Sequence, residues 1–482
     1  MPHDSSARPQ LPPGWPDRLF ANAWTGSGTA DGAPDGRAPV WAVTDHFRGR
    51  PTAVLAAQKL ADLGRHKDPR VGWALVLPDS PDVPPTERHR ADDAPVAAQR
   101  LAGARTQSGE PLVVRYAAGN VDELYRYLPD GTRTPLPTTG DGPRGVGAGA
   151  LPYYLLLLGG PEVIPWELQF RLNHVAFTGR LDLDEEGLGH YVDAALTEWA
   201  DSETDATSPL LWTAELGRGD ITALMRTEVG ERTLARWRDD TQIGDRAVDL
   251  RGAQATRALL AQTLADRHPG VVVTTSHGAT GPLEDAATMR ATLGWLVDSE
   301  GSLLDPHSLV QLWEPDGVVW YGLACCSAGG SGTNQFTDVL DPASDAGKVF
   351  DAVAALGAVT ADLPRALLGA PKPARAFIGH VEPTFDWTLR RPVTGISTTD
   401  SLVEALYDGL FQASPLPVGL AFRRYFLGAA SLRSRWASER GQVEESPAAR
   451  TAAFLAALTG MDRQCTVILG DPAVVPAALP AE

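Results

Sequence analysis

The feature that most constrains this chain is a series of short, unbroken apolar runs, each ending abruptly in Gly, Asp, His or Cys. "PYYLLLLGG", "HVAFTGR", "SPLLWTAELG", "GVVVTTSHG", "GVVWYGLACC", "RAFIGHVE" and "CTVILGDP" follow one another between residues 152 and 472. A strand with one face in water alternates apolar and polar side chains, whereas continuous Val/Leu/Ile runs mark strands buried on both faces. Helical stretches lie between several of them, such as "GLGHYVDAALTEWAD", "ATRALLAQTLADRH" and "DAGKVFDAVAALG". The pattern predicts an α/β fold with a mostly parallel sheet flanked by helices. In such sheets ligands and chemistry gather outside the carboxyl ends of the strands.

Upstream the pattern changes. Residues 1–40 are rich in Pro, Gly, Asp and Ser and read as an arm with little order of its own. From residue 41 the chain alternates again, through "VWAVTDHF", a helix at "TAVLAAQKLADLGRH", "VGWALVLPD", a helix at "APVAAQRLAGARTQSG" and "PLVVRYAAG". This predicts an N-terminal α/β subdomain over 41–128. Residues 129–148 are dense in Gly, Pro and Thr and predict a linker or long loop, leaving 149–482 as the main domain. The charged stretch 431–450 reads as a solvated helix or loop, with a protease-sensitive loop as the alternative.

Charge and thiols narrow the partners. With 60 acidic against 42 basic side chains, a net charge of −18, the chain lacks the basic footprint that nucleic acid or an anionic membrane requires. Three cysteines in 482 residues do not make a disulfide framework, so a reducing, cytoplasmic setting is expected. The opening "MPHDSSARPQLPPGWPDRLF" has no apolar core of a signal peptide, and no run approaches the ~18 apolar residues of a membrane span. Oligomeric state is not written in the pattern.

Two strand ends carry chemistry. His277 and Gly278 close one Val-rich run, and Cys325 and Cys326 close another 48 residues later. A free thiol titrates near ~8.5, so attack needs an imidazole to take its proton and later hand it to a leaving amine. A glycine after the histidine lets a substrate carbonyl approach the backbone. The N–H groups of Gly278 and Cys325 are then the candidate oxyanion donors. His380 in "FIGHVE" ends a third run and is the rival histidine or a pocket residue; Glu162 in "GGPEVIP" and Glu382 in "GHVE" are candidates to orient the base. Cys465 reads as core, and Asp182, Asp184, Glu185 and Glu186 as acids favouring a helix N-terminus, with a pocket for basic substrate side chains as the alternative. No H-E-x-x-H, paired C-x-x-C, P-loop or G-x-S-x-G appears, so no metal site and no cofactor is expected.

Strand-His-Gly followed by strand-Ala-Cys-x-Ser-Ala-Gly resembles the caspase-like (clan CD) cysteine peptidases, nearest their bacterial CHAT and gingipain-like branches. "LPYYLLLLGGPEVIPWELQF", "VAFTGRLDLDEEGLGHYVDAAL", "LPRALLGAPKPARAFIGHVEPTF" and "CTVILGDPAV" follow in the order of that fold, so the resemblance covers about residues 149–478. On the CHAT-like pattern Cys325 is the nucleophile. The metacaspase-like pattern would choose the next cysteine, but it requires Asp at 324 and His at 327, where this chain has Ala324 and Ser327. The resemblance implies a caspase-like catalytic domain and a cysteine endopeptidase working through a His277–Cys325 dyad on a protein or peptide substrate. It also implies a bacterial defence setting, with a substrate encoded by a neighbouring gene. The alternatives are a catalytically silent regulatory or binding module of the same fold, and an unrelated α/β protein binding a nucleotide at its strand-end glycines.

Overall fold

A computed structural model describes residues 18–43, 61–140, 142–392, 394–441 and 446–480. Its strands in chain order begin with β1 (Leu19–Trp24), β2 (Thr29–Gly32), β3 (Trp73–Pro78), β4 (Val113–Tyr116), β5 (Glu123–Tyr127) and β6 (Arg133–Pro137). The next are β7 (Tyr154–Leu158), β8 (Phe177–Leu181), β9 (Leu210–Thr213), β10 (Val248–Arg251), β11 (Val271–Thr275) and β12 (Gly278–Ala279). The last are β13 (Val319–Leu323), β14 (Gly329–Ser331), β15 (Ala358–Thr360), β16 (Ala376–His380) and β17 (Thr466–Leu469).

Twelve of these strands make one sheet in the order β10-β9-β11-β13-β16-β17-β8-β7-β3-β4-β5-β6, flanked by helices as the apolar runs predict. Every residue of β11 and β13 is buried, as befits strands covered on both faces. The helices form where caps and periodicity place them. Arg257–Arg267 opens with Thr256 accepting from the Leu259 N–H and closes at His268, whose φ of +43° ends the helix. Asp184 caps Glu185–Leu196 by accepting from the Gly187 N–H, so two of the four clustered acids sit in the first turn, where the helix dipole favours them.

The sheet is not parallel throughout. The strands from β10 to β16 run one way; β17 pairs antiparallel with β16, and those from β17 to β4 run parallel to one another in the opposite sense. The cause lies in the connection. A single crossover helix returns the chain to the edge where a parallel strand begins. Between β16 and β17 run two long helices, Arg423–Arg440 and Pro447–Gln464, packed on each other. The second of them ends at Gln464, beside the edge where β16 ended, and β17 sets out from there in the reverse sense with Thr466 opposite His380.

Each of the three early segments carries strands. Of the arm 1–40, residues 1–17 lie outside the described residues, but β1 and β2 form a hairpin and β1 also pairs with β12. The strands of the 41–128 segment are not a separate sheet, because β3 bonds directly to β7. Within the predicted linker 129–148, β6 is the edge strand, paired with β5. Residues 129–148 are poor in apolar side chains, and pairing of β6 with β5 supplies what local propensity does not. Ala38–Val43 is helical rather than extended; residues 44–60, with most of the helix expected at "TAVLAAQKLADLGRH", lie outside the described residues. The charged stretch 431–450 is helical up to Arg440, with Trp436 buried, while 442–445 lie outside the described residues. Among the described residues no helix is long and apolar enough to cross a membrane.

Candidate active site

The two chemical motifs meet because their strands are neighbours. β11 and β13 pair in parallel with Thr275 opposite Leu323, so His277 and Cys325 each fall two residues past that pair. The Ser276 N–H donates to the Leu323 carbonyl at 3.1 Å and holds the two ends together beyond the last paired residues. Gly278 then lies against the Cys325 backbone: a β-carbon there would sit 1.8 Å from the Cys325 carbonyl oxygen. Sequence reasoning gave that glycine to an approaching substrate. The structure shows a nearer need, the contact between the two strand ends themselves.

His277 is fully buried, and its Nε2 lies 3.0 Å from both carboxylate oxygens of Asp220. Asp220 stands at the end of the loop after β9, which flanks β11 on the side away from β13. It also caps the helix Ile221–Met225, accepting from the Thr222 N–H at 2.8 Å. Burial works to raise the Asp220 carboxyl, but the hydrogen bond and charge contact with His277 outweigh it and hold the group below its ordinary value. An ionised carboxylate only accepts, so it fixes the proton on Nε2 and leaves the lone pair on Nδ1. That Nδ1 is buried without a hydrogen-bond partner. The Trp24 ring stands 6.0 Å from the imidazole, tilted by 35°. Sequence reasoning missed Asp220. Its only signal, Asp two residues before Thr at the start of a helix in "GRGDITAL", is an ordinary cap pattern.

Cys325 is also fully buried, and its Sγ accepts a hydrogen bond from the Thr384 N–H at 3.3 Å. Burial pushes the thiol well above its usual value, with the Thr384 bond working the other way. Cys326 carries the turn, at φ +54°, and donates its N–H to the Glu382 carbonyl. A left-handed non-glycine residue persists only where its surroundings hold it. Here Ser327 supplies the hold: its Oγ donates to the Gly322 carbonyl at 2.9 Å and accepts from the His380 N–H at 3.0 Å. Cys465 is buried one residue before β17.

The rival residues are placed elsewhere. His380 ends β16, on the other side of β13, with Nδ1 2.9 Å from the Glu382 carbonyl and Nε2 2.8 Å from the Asp462 carbonyl. Both nitrogens face acceptors, so the ring donates twice and has no lone pair to offer. Burial opposes its charge, yet the Asp462 carboxylate and the two carbonyls hold it above its ordinary value. Glu382 is fully buried at φ +82° and accepts from the Ser331 N–H at 2.7 Å, pinning the loop after Cys325; it makes no bond to His277. Glu162 follows β7, whose reversed sense puts it at the opposite edge of the sheet from His277, and it is exposed. Neither glutamate bonds to His277; Asp220 does.

The Gly278 N–H, expected as an oxyanion donor, is already engaged. β1 pairs in parallel with β12, Ala23 opposite Gly278 and Trp24 opposite Ala279, and the Thr280 N–H donates to the Trp24 carbonyl. That register aims the Gly278 N–H at the carbonyl of Asn22. Among the described residues no group of three His, Cys, Asp or Glu is placed to hold a metal.

No family model and no curated protein matches this chain. A solved structure described as "Structure of Protease" superposes with a TM-score of 0.45 and 14% identity, covering 84% of this chain and 78% of that one. A likeness that slight carries no argument about activity.

Proposed function

We propose that the chain is a cysteine endopeptidase of caspase-like fold, with Cys325 as nucleophile, His277 as base and Asp220 as the residue that positions the base. The observation that carries this reading is the parallel register of β11 and β13, which brings the two motifs to one edge of the sheet. Cys325 Sγ attacks the scissile carbonyl and its proton passes to Nδ1 of His277. Because burial keeps the thiol protonated at rest, that transfer accompanies the attack rather than preceding it. Collapse of the tetrahedral intermediate breaks the C–N bond, and the amine leaves with the proton from His277. Water, deprotonated by the same imidazole, then hydrolyses the thioester and frees the thiol. The Cys325 N–H is the oxyanion donor assigned here, with the Gly278 N–H joining it once released from Asn22.

The test is hydrolysis of a peptide library by the wild type, Cys325→Ala and Cys326→Ala. Activity lost in the first variant and kept in the second is expected; cleavage that survives Cys325→Ala sinks the mechanism. The full burial of both His277 and Cys325 favours one second reading, a silent module of the same fold. Wild type that cleaves nothing, even after β1 is displaced, would support it. A defence role and a substrate encoded nearby rest on the family resemblance alone.

A further inference from the structure

We propose that β1 is a built-in pseudosubstrate, an extended segment of the chain's own N-terminal region lying in the peptide channel with the Asn22 carbonyl in the scissile position. This inference rests on the peptidase reading and adds regulation to the same site. The main sheet places the end of β13 between those of β11 and β16. One edge of β1 spans both outer extensions: Ala21 bridges Phe385, which follows β16, and Ala23 pairs with Gly278, which follows β11. Asn22 lies between these contacts, above the end of β13 that carries Cys325.

Its backbone is tied on both sides to atoms that touch the nucleophile. The Asn22 N–H donates to the Thr384 carbonyl at 2.7 Å, and the Thr384 N–H donates to Cys325 Sγ. The Asn22 carbonyl faces the Gly278 N–H, and Gly278 packs on the Cys325 backbone. A peptide caught before cleavage needs the same contacts: extended backbone, its carbonyl on the oxyanion donor, its flanks paired with the strand-end extensions. The β1–β2 pairing breaks at this point, passing from Ala21 opposite Ala30 directly to Trp24 opposite Thr29, so Asn22 and Ala23 form a bulge over the site.

The Asn22 side chain shows why such a strap is displaceable. It is fully buried, yet neither Oδ1 nor Nδ2 has a hydrogen-bond partner. An unpartnered buried amide penalises the closed state, and an apolar group of the same shape would not. The two alanines that flank it, Ala21 and Ala23, bury little apolar surface in holding the strand down.

Alkylation of the full-length protein by iodoacetamide, mapped at each cysteine, tests the proposal. Labelling of a buried thiol follows the population of the open form. Ala23→Asp, which puts a carboxylate into the apolar cluster containing Cys325, is expected to speed labelling of Cys325 by about ten-fold or more. Asn22→Leu is expected to slow it below the wild-type rate. Cys326 and Cys465 should stay protected in both, which shows that the body of the protein is folded. Trp24→Ala, at a half-buried position, is a second loosening variant should Ala23→Asp fail to fold. The blocked peptide Ac-LFANAW-amide, added to the loosened protein, should slow labelling of Cys325 again. If Cys325 in both loosened variants labels as slowly as Cys465, or the peptide gives no protection, the proposal is overturned. Iodoacetamide needs only a thiol that solvent can reach and ionise, not a working base or oxyanion site, so these outcomes stand apart from whether Cys325→Ala abolishes hydrolysis.

Discussion

At the scale of single residues, the site turns on which nitrogen of each histidine is already committed. Asp220 claims Nε2 of His277 and leaves Nδ1 free, while His380 has both nitrogens committed. In the proposed mechanism Asp220→Asn removes the acceptor that fixes the tautomer and the charge that stabilises the imidazolium. The expected result is a fall in kcat on the order of 10²–10⁴-fold with KM little changed. An unchanged kcat, in protein whose melting temperature matches the wild type, would remove Asp220 from the machinery. His380 makes the opposite kind of prediction, about stability. Its folded value is raised, so its contribution is fully present below the ~6.5 of an unfolded histidine and is lost as pH rises through the folded value. The gap in urea midpoint between wild type and His380→Asn should be widest near pH 5.5 and shrink on the alkaline side. A gap that is flat or grows with pH would contradict the buried cation.

Among the elements, the strand ends show what could be read in advance. β11 and β13 announce themselves because burial on both faces forces unbroken apolar runs, and the His-Gly and Ala-Cys endings are visible where those runs stop. Strand direction is not visible in the same way. β17 looks like its neighbours in "CTVILGDP" yet pairs antiparallel with β16, so Glu162 could not be excluded from the site by its sequence. β1 was hidden for another reason: "LFANAW" offers only Leu19, two alanines and aromatics as apolar residues, in a stretch rich in Pro, Gly and Asp, and its partners at the candidate site, β12 and Phe385, lie more than 250 residues away. Gly278 is the position where these elements crowd most. In Gly278→Ala the new methyl meets backbone on Cys325 rather than a movable side chain, so relief requires the two strand ends to part. The expected cost is about 1–3 kcal/mol in urea unfolding, the usual range for overpacking. A variant as stable as the wild type would mean that the ends are not locked together.

For the whole molecule, the decisive feature is that one sheet runs through segments that composition divides. β3 pairs with β7 along Trp73–Val76, and the helix after β3 sends Arg105 to the far side of the chain's sequence, where its Nε lies 2.6 Å from Asp471. The same carboxylate accepts from Trp73 Nε1 at 3.0 Å and from the Ala473 N–H at 3.0 Å. Asp471 is fully buried and Arg105 nearly so, which makes the pair a tie between the early strands and the segment after β17 rather than a surface contact. Removing one member of a buried pair strands the other charge, at a cost of about 3–5 kcal/mol. Asp471→Ala should therefore lower the stability of the entire described sheet in a single transition, with calorimetric and van't Hoff enthalpies agreeing, instead of releasing residues 73–137 as a separately melting unit. Two resolved transitions in the wild type, or a protease-resistant fragment beginning near residue 150 that keeps its own cooperative unfolding, would show that the early strands are an independent domain. A single transition would mean that the proposed peptide site inherits its rigidity from strands on both sides of the β16–β17 reversal, including those farthest from the thiol.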